Sequence, residues 1–198
     1  MTKAVVIGNG ESRRSVDLEK YRNEYVLIGC NAIHRDTKVN HLVCCDRRMA
    51  WEATENTETK DTTIYVRDQW FHFFRKIQKN KNIQQLPSLP YNGDTKKDDP
   101  EHWGSGGYAI LLSATMGFDE VEIIGFDLYP VDQSVNNIYK GTENYSRADA
   151  QPVDPSYWIY QIGKIFHYYP NTTFIIRNHQ TWVMPSEWQK LNVKFVAL

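Results

Sequence analysis

The sequence has 198 residues, with 23 basic and 24 acidic side chains and a formal net charge of −1. This length suits one well-buried core, and we predict a single domain over residues 1–198. The near balance of charge removes the simplest electrostatic basis for binding nucleic acid or an anionic membrane, so a small anionic ligand would need a local site.

The first apolar run, residues 4–7, begins after only three residues and ends at Gly8. It is too short for a signal peptide or a transmembrane segment, and we expect neither elsewhere. Cys44 and Cys45 are adjacent within an apolar run, and with Cys30 they form neither a disulfide nor a metal-ligand pattern. We therefore predict a reduced, cytoplasmic protein without a metal or other cofactor. Assembly into a homo-oligomer stays open.

Short apolar runs rich in β-branched residues alternate with stretches of helical character. Continuous apolar runs of this length are typical of strands buried on both faces. The alternation predicts an α/β fold with a mostly parallel, Rossmann-like sheet and helices on both faces. The predicted strands are residues 4–8, 25–29, 41–45, 62–66, 121–125, 173–177 and 193–196, and the predicted helices are 15–21, 49–55, 70–78, 107–116 and 157–168.

Two of these elements carry more specific predictions. The strands 4–8 and 121–125 are strongly apolar, and we expect them side by side at the centre of the sheet. The helix 107–116 is apolar nearly all round and is expected to be buried. Long polar stretches at 79–103 and 130–155 interrupt the pattern, and loops of this length in a compact domain are often lids over a site.

The first strand runs directly into a turn with the sequence Gly8-Asn9-Gly10-Glu11-Ser12. Glycines let a backbone approach a phosphate closely, and the following amides and the Ser12 hydroxyl can donate hydrogen bonds to it. The alternative is a tight turn that binds nothing. The motif does not complete the dinucleotide fingerprint, because Arg13 follows where glycine spacing would continue, so NAD is disfavoured.

Polar side chains also follow three other predicted strands. Asn31 could recognise a pyrimidine edge or ribose hydroxyls, or it could be an ordinary turn residue. Asp46 and Asp127 could bind a ligand, or each could cap the turn after its strand. Without an Asp-x-Asp pair, the sequence does not support a committed metal site.

A second glycine-rich segment, Ser105-Gly106-Gly107, immediately precedes the predicted buried helix. The free amides at the start of that helix would point toward the ligand edge of the sheet, where they could bind a phosphate or carboxylate. A flexible linker is the alternative. We favour binding, because the glycines adjoin an apolar helix that must pack closely.

In order and spacing, residues 6–12, 29–31 and 105–129 resemble the bacterial lipooligosaccharide sialyltransferases of glycosyltransferase family 42. They also look like the related flagellin-modification and archaeal pterin-diphosphokinase domains. The resemblance covers roughly the first half of the sheet and the central helix-strand unit. It implies CMP-sialic acid bound without a metal, and it assigns binding roles to Asn9, Ser12, Asn31, Ser105 and Gly106.

The same resemblance implies that Tyr129 and Tyr139 bind the donor phosphate. The sequence departs from the family in two places. Residues 140–160 contain no histidine where the family has its catalytic one, and His102 occupies the place of the acceptor-binding arginine.

We therefore predict a metal-independent, glycosyltransferase-like protein that binds a nucleotide or nucleotide-sugar, with a CMP-linked sugar as the first candidate. His102 is the predicted general base, because it adjoins the second glycine-rich segment; an ordinary loop histidine is the alternative. Two other functions stay open. One is diphosphate transfer of the pterin-diphosphokinase type, which needs Mg²⁺, and the other is nucleotide binding without catalysis.

Overall fold

In the computed structural model, which describes residues 1–93, 95–130 and 133–198, the described chain forms one parallel sheet of eight strands. The spatial order is β5-β4-β3-β2-β1-β6-β7-β8. The strands are β1 Lys3–Ile7, β2 Val26–Cys30, β3 His41–Cys44, β4 Thr63–Val66, β5 Asn82–Gln85, β6 Glu120–Ile124, β7 Thr173–Asn178 and β8 Val193–Ala197.

The strands β1 and β6 lie side by side at the centre of this sheet, as their apolar sequences predict. From β1 the chain builds outward through β2 to β5 on one side, and from β6 through β7 and β8 on the other. The boundary between β1 and β6 is therefore the point where the strand order reverses. In open parallel sheets, ligands bind in the crevice at the carboxyl ends of the strands at this point.

Alternate residues of the central strands belong to two separate hydrophobic cores, one on each face of the sheet. Ala4 and Val6 of β1 pack into one core, whereas Val5 and Ile7 pack into the other, and all four are fully buried. Because the side chains of a strand alternate between its two faces, a strand covered on both sides must be apolar throughout. The predicted α/β fold with helices on both faces is confirmed.

Four α-helices among the described residues cover the sheet: α1 Arg47–Glu55, α2 Asp68–Ile77, α3 Ser105–Thr115 and α4 Ser156–Tyr168. Helices α1 and α2 contribute Met49, Ala53 and Phe74 to one core, and α3 and α4 contribute to the other. Nine of the eleven residues of α3 are buried, so the expectation of a buried central helix is confirmed.

Two local predictions are wrong. Residues 79–103 contain the strand β5, which was predicted as loop, because only Ile83 of this polar edge strand is buried. Residues 15–21 form no α-helix; the segment holds the end of one 3₁₀ turn, Glu11–Ser15, and a second, Leu18–Tyr21. The Asp17 side chain accepts a hydrogen bond from the Glu19 amide and starts the second turn, which ends after four residues.

The predicted loop 130–155 includes Val131 and Asp132, which lie outside the described residues. Its described part contains no helix or extended strand, and it passes over the carboxyl edge of the sheet, where the Ile138 amide bonds to the carbonyl of Asn9 at 2.9 Å. Within the described ranges, no helix has the length and apolar character needed to cross a bilayer.

Candidate functional site

The turns after β1 and β6 are joined at the carboxyl edge of the sheet. The Gly8 amide donates to the carbonyl of Ile124, and the Gly10 amide donates to the carbonyl of Gly125, both at 2.8 Å. A Cβ atom at Gly10 would lie 2.5 Å from the Asp127 carboxyl carbon, and one at Gly8 would collide with the Gly125 carbonyl oxygen. Close packing of the two turns therefore explains both glycines without any ligand.

The amides that were predicted to hold a phosphate in the first turn already have partners. The Ser12 amide donates to Asp127 at 2.9 Å, the Ser12 hydroxyl donates to the same carboxylate, and the Glu11 amide donates to Asn136 at 2.8 Å. A phosphate at this turn would have to displace Asp127. The phosphate role of Gly8, Gly10 and Ser12 stays a prediction.

Asp127 connects the central strands to β7. Besides its bonds to Ser12, its carboxylate accepts a hydrogen bond from Asn178 at 3.1 Å, and its carbonyl accepts one from the Trp182 indole at 2.9 Å. The side chain is 8% exposed, so these bonds satisfy a carboxylate with little access to water. Its contacts give Asp127 a structural role at the base of the site.

Asn9 presents an unsatisfied acceptor at the same edge. Its Nδ2 donates to the Tyr145 hydroxyl at 3.0 Å and to the Cys30 carbonyl at 3.4 Å, whereas its buried Oδ1 has no partner among the described residues. An unpaired buried polar atom is costly, and in native proteins it often marks a place where a ligand or water binds.

Asn31 and Ser105 connect the ends of β2 and β3 to the start of α3. The Ser105 hydroxyl donates to Asn31 Oδ1 at 2.8 Å and accepts from the Cys45 amide at 2.9 Å. Asn31 has a left-handed backbone with φ of 52°, which asparagine tolerates better than most residues. These bonds leave the Asn31 Nδ2 as a donor beside the helix terminus.

The start of α3 supplies further donors. Its N-cap residue is Gly104, and no side chain caps the helix. The first amides of an α-helix have no partner within the helix, and the helix dipole adds partial positive charge there. The amides of Ser105, Gly106 and Gly107 therefore form a group of donors suited to an anion.

These donors surround a cavity of about 230 Å³ between the turns after β1, β2 and β6. Its wall includes most of the residues predicted for binding, and Phe126, Leu128, Trp158 and Ile162 give it an apolar side. The predicted residues in this lining are Gly8, Asn9, Gly10, Asn31, Ser105, Gly106, Gly107 and Asp127. The structure thus brings together predicted residues from four separate segments of the chain.

A second cavity of about 610 Å³ adjoins the first, since Asn31, Gly104 and Ser105 line both. Asp46 lies here, away from Asp127, and its carboxylate caps α1 by accepting from the Arg48 amide at 2.7 Å. Arg47 and Arg48 also line this cavity. A ligand that extends from α3 into the second cavity would meet an environment containing positive charge.

Tyr139 lies outside the linings of both cavities. Its hydroxyl donates to Asp36 at 2.5 Å and accepts from Arg13 at 2.7 Å, and burial together with the neighbouring Asp36 raises the pKa of Tyr139. This cluster fixes the loop 130–155 to the first turn. Tyr145, which the sequence analysis did not single out, is the tyrosine that contacts Asn9 and lines the second cavity.

Tyr129 and His102 are also absent from the linings of these two cavities. Burial raises the pKa of Tyr129, which packs against the core of α3 and α4. The His102 ring lies 5.8 Å from the Tyr157 ring, and its Nδ1 is 2.6 Å from the carbonyl oxygen of Lys96. The predicted roles of both residues stay predictions.

Trp158, Asn136 and Asn137 line the first cavity but were not predicted. No motif or strand end marks them in the sequence; only the packing of α4 and the loop 130–155 places them there. Within the described ranges, no group of three or more His, Cys, Asp and Glu side chains could hold a metal ion.

The fold and this edge place the chain among α/β proteins with a Rossmann-like parallel sheet. No family model matches the chain, and no curated protein matches it in sequence. Among solved structures, it is similar to the sialyltransferase CstII from Campylobacter jejuni, which was solved with a substrate analogue, cytidine-5'-monophosphate. The likeness has a TM-score of 0.50 and 11% identity over 89% of this chain and 79% of that chain, and it supports the shared fold.

Proposed function

We propose that this protein binds a nucleotide or nucleotide-sugar at the carboxyl edge of its sheet, as the donor-binding part of a glycosyltransferase-like activity. The observation that carries the proposal is the uncapped start of α3, which opens onto the 230 Å³ cavity beside the unpaired Oδ1 of Asn9. The amides of Ser105, Gly106 and Gly107 bind the phosphate, because they are the unengaged donors at a positive helix terminus.

A pyrimidine nucleotide fits the polar atoms near this phosphate site. Asn9 Oδ1 offers an acceptor and Asn31 Nδ2 a donor, and cytosine carries both a complementary amino group and complementary acceptors. The first cavity is smaller than the usual ligand pocket of about 300 to 1,000 Å³. The ligand therefore extends into the second cavity, which has room for an attached sugar. The CMP complex of the structurally similar CstII is consistent with this choice of nucleotide.

One observation favours a second candidate, nucleotide binding without catalysis. Asp127 is the one aspartate, glutamate or histidine in the described lining of the first cavity, and its carboxylate is engaged by Ser12 and Asn178. Sugar transfer needs a base for the acceptor hydroxyl. The base proposed for the transferase is His102, and full turnover by a His102→Ala variant would remove it from the mechanism.

Calorimetric titration with CMP, UDP, ATP and NAD tests the proposal. We expect CMP to bind more tightly than NAD, because Asn31 follows β2 where a dinucleotide site has an acidic ribose ligand. Tighter binding of NAD would refute the assignment of the site. Tight binding of CMP with neither transfer nor hydrolysis of a CMP-sugar would favour the second candidate.

A further inference from the structure

A third cavity, the largest of these, lies beside the proposed nucleotide site. It is a groove of about 820 Å³ between α2, the segment 86–93 and the segment 95–101, and we call it the acidic groove. Arg67, Gln69 and Glu101 line both this groove and the 610 Å³ cavity. The three cavities therefore follow one another along the carboxyl edge of the sheet. The 230 Å³ cavity, which we call the nucleotide cavity, lies at one end, and the acidic groove lies at the other.

The Tyr108 hydroxyl faces the acidic groove without a partner. Tyr108 belongs to α3, is 4% exposed and lines the groove, yet its hydroxyl makes no hydrogen bond with any described residue. Burial raises the pKa of Tyr108 to about 12, so the hydroxyl stays protonated and can donate as well as accept. Although most of the residue is buried, the hydroxyl oxygen itself is accessible and has no partner among the described residues, so it can bond a polar ligand in the groove.

The charge of the groove limits what that ligand can be. Its described lining contains Arg67 against four acidic side chains, Asp68, Asp98, Asp99 and Glu101. Arg67 is already used, because it donates to the carbonyls of Pro100, Glu101 and Trp103 and pairs with the Glu101 carboxylate at 3.3 Å. An anion entering the groove would meet unbalanced negative charge.

The acids differ in their availability. Both oxygens of Asp98 are occupied by hydroxyls, from Tyr91 at 2.9 Å and from Thr95 and Tyr160 at 3.0 and 3.2 Å. Asp68 and Asp99 are exposed. The Asp99 carboxylate accepts a hydrogen bond from the Glu101 amide at 2.9 Å, which uses one of its two oxygens. These free carboxylate oxygens can accept from ligand hydroxyls or an ammonium group.

We propose that the acidic groove binds a sugar that is neutral or carries an amine, and that it excludes sugars carrying a carboxylate or phosphate. The proposal rests on the proposed function, in which this sugar is the acceptor beside the nucleotide. The Tyr108 hydroxyl bonds one ring hydroxyl, and Asp68 and Asp99 accept from others. The negative charge of the groove thereby favours neutral or amine-bearing acceptor sugars over anionic ones.

Three sugars of one ring shape test the charge selection: glucosamine, glucose and glucuronate. Binding is measured by chemical-shift titration of the unaltered protein, following resonances of groove residues. We expect glucosamine to bind at least as tightly as glucose. Glucuronate should bind at least about tenfold more weakly than glucosamine, because the net negative charge of the groove repels its carboxylate. Equal binding of glucuronate, or no binding of any of the three, would overturn the proposal.

The variant Tyr108→Phe removes only the hydroxyl. We expect it to weaken glucosamine binding about fivefold, the usual effect of one lost hydrogen bond. Tyr169→Phe is the matched control, because its hydroxyl contacts Thr115 and lies outside the groove. Asp68→Asn is a second probe, expected to narrow the preference for glucosamine over glucuronate. Unchanged binding in both groove variants would contradict the proposal.

A CMP titration run beside these experiments separates the two proposals. If CMP binds and no sugar enters the groove, the acidic groove fails as a sugar site while the proposed function stands. If a sugar binds at the groove and CMP does not bind at α3, the proposed function fails while the sugar site stands. Unaltered CMP affinity in Tyr108→Phe is expected, since Tyr108 lies outside the lining of the nucleotide cavity.

Discussion

Asn31 combines a strained backbone with a position at the centre of the proposed site. Its φ of 52° is unfavourable for residues with a Cβ atom, although asparagine adopts it more readily than most. Its Oδ1 holds the Ser105 hydroxyl, which leaves Nδ2 for a ligand. We infer that asparagine has two roles at this position: it adopts the left-handed backbone conformation, and its Nδ2 donates a hydrogen bond to the ligand.

The change Asn31→Gly tests this double role. Glycine fits the left-handed backbone, so the free energy of unfolding should change by no more than about 1 kcal/mol, the size of the lost hydrogen bond. CMP affinity should fall about fivefold or more, because the donor is gone. Urea unfolding and calorimetry measure the two quantities. Unchanged CMP affinity in a stable variant would remove Asn31 from the site.

At the level of single residues, the sequence predicts those site residues that follow a strand or precede a helix, such as Asn31 and Ser105. Parallel strands place their carboxyl ends at one edge, so such residues must meet. The positions of Trp158 and Tyr108 could not be predicted. The sequence pattern of a helix predicts which of its faces is buried, but the cavity that a side chain lines depends on long-range packing. The contacts of Tyr139 and His102 depend on loop conformations, so the sequence did not predict them either.

The turn between β1 and the first 3₁₀ segment shows how one element can have two explanations. Its glycines are typical of phosphate-binding turns, yet here they also allow the turns after β1 and β6 to meet. The backbone of Gly10 has φ of −67° and ψ of 151°, which any residue can adopt. Only the close approach of Asp127 therefore requires glycine at this position.

A Gly10→Ala change should consequently destabilise the protein by about 1 to 3 kcal/mol, the usual cost of overpacking a close contact. Gly104→Ala is the matched control, because its added Cβ would lie 3.9 Å from the Trp158 indole, an ordinary contact. Urea unfolding of both variants gives the comparison. Equal stability of the two variants would show that the turn can relax away from Asp127.

Apolar runs predict most strands correctly because this sheet is covered on both faces. The edge strand β5 was missed for the complementary reason: its sequence, Asn-Ile-Gln-Gln, buries one side chain and otherwise resembles a loop. Strand β8 is also at an edge, but its valines and phenylalanine reveal it. Sequence patterns therefore predict the buried central strands of this sheet better than a polar edge strand.

A buried ion pair joins the central strand β6 to its neighbour β7. Glu122 of β6 is 3% exposed and accepts from Arg177 of β7 at 2.9 and 3.0 Å and from Tyr21 and Tyr25. Burial alone would raise the pKa of Glu122, but these donors outweigh it and hold the pKa below its usual value of 4.5. The ionised carboxylate is thus favoured by folding.

Because the folded-state pKa is the lower one, the unfolded chain binds more protons in this range, and stability falls as the pH drops. The contribution of Glu122 should be complete above pH 4.5 and lost as the pH falls through the folded-state pKa. Urea unfolding at a series of pH values should therefore show a shallower acid loss for Glu122→Gln than for the unaltered protein. Parallel curves would contradict this assignment.

At the scale of the whole carboxyl edge, we propose that a nucleotide lies over the start of α3 with its phosphate on the helix amides. Gly104 borders both the 230 Å³ and the 610 Å³ cavities, and its φ of −82° and ψ of 166° suit a residue with a side chain. Valine at this position would occupy the proposed ligand space without straining the backbone. Ala197→Val, in the exposed edge strand β8, is a control of similar size.

Calorimetric titration of CMP into the Gly104→Val variant tests this placement of the nucleotide. We expect CMP affinity to fall at least tenfold, about 1.4 kcal/mol, in Gly104→Val and to stay unchanged in Ala197→Val, with both variants folded. Equal CMP affinity in the two folded variants would contradict the claim, because the nucleotide would then lie elsewhere on the molecule.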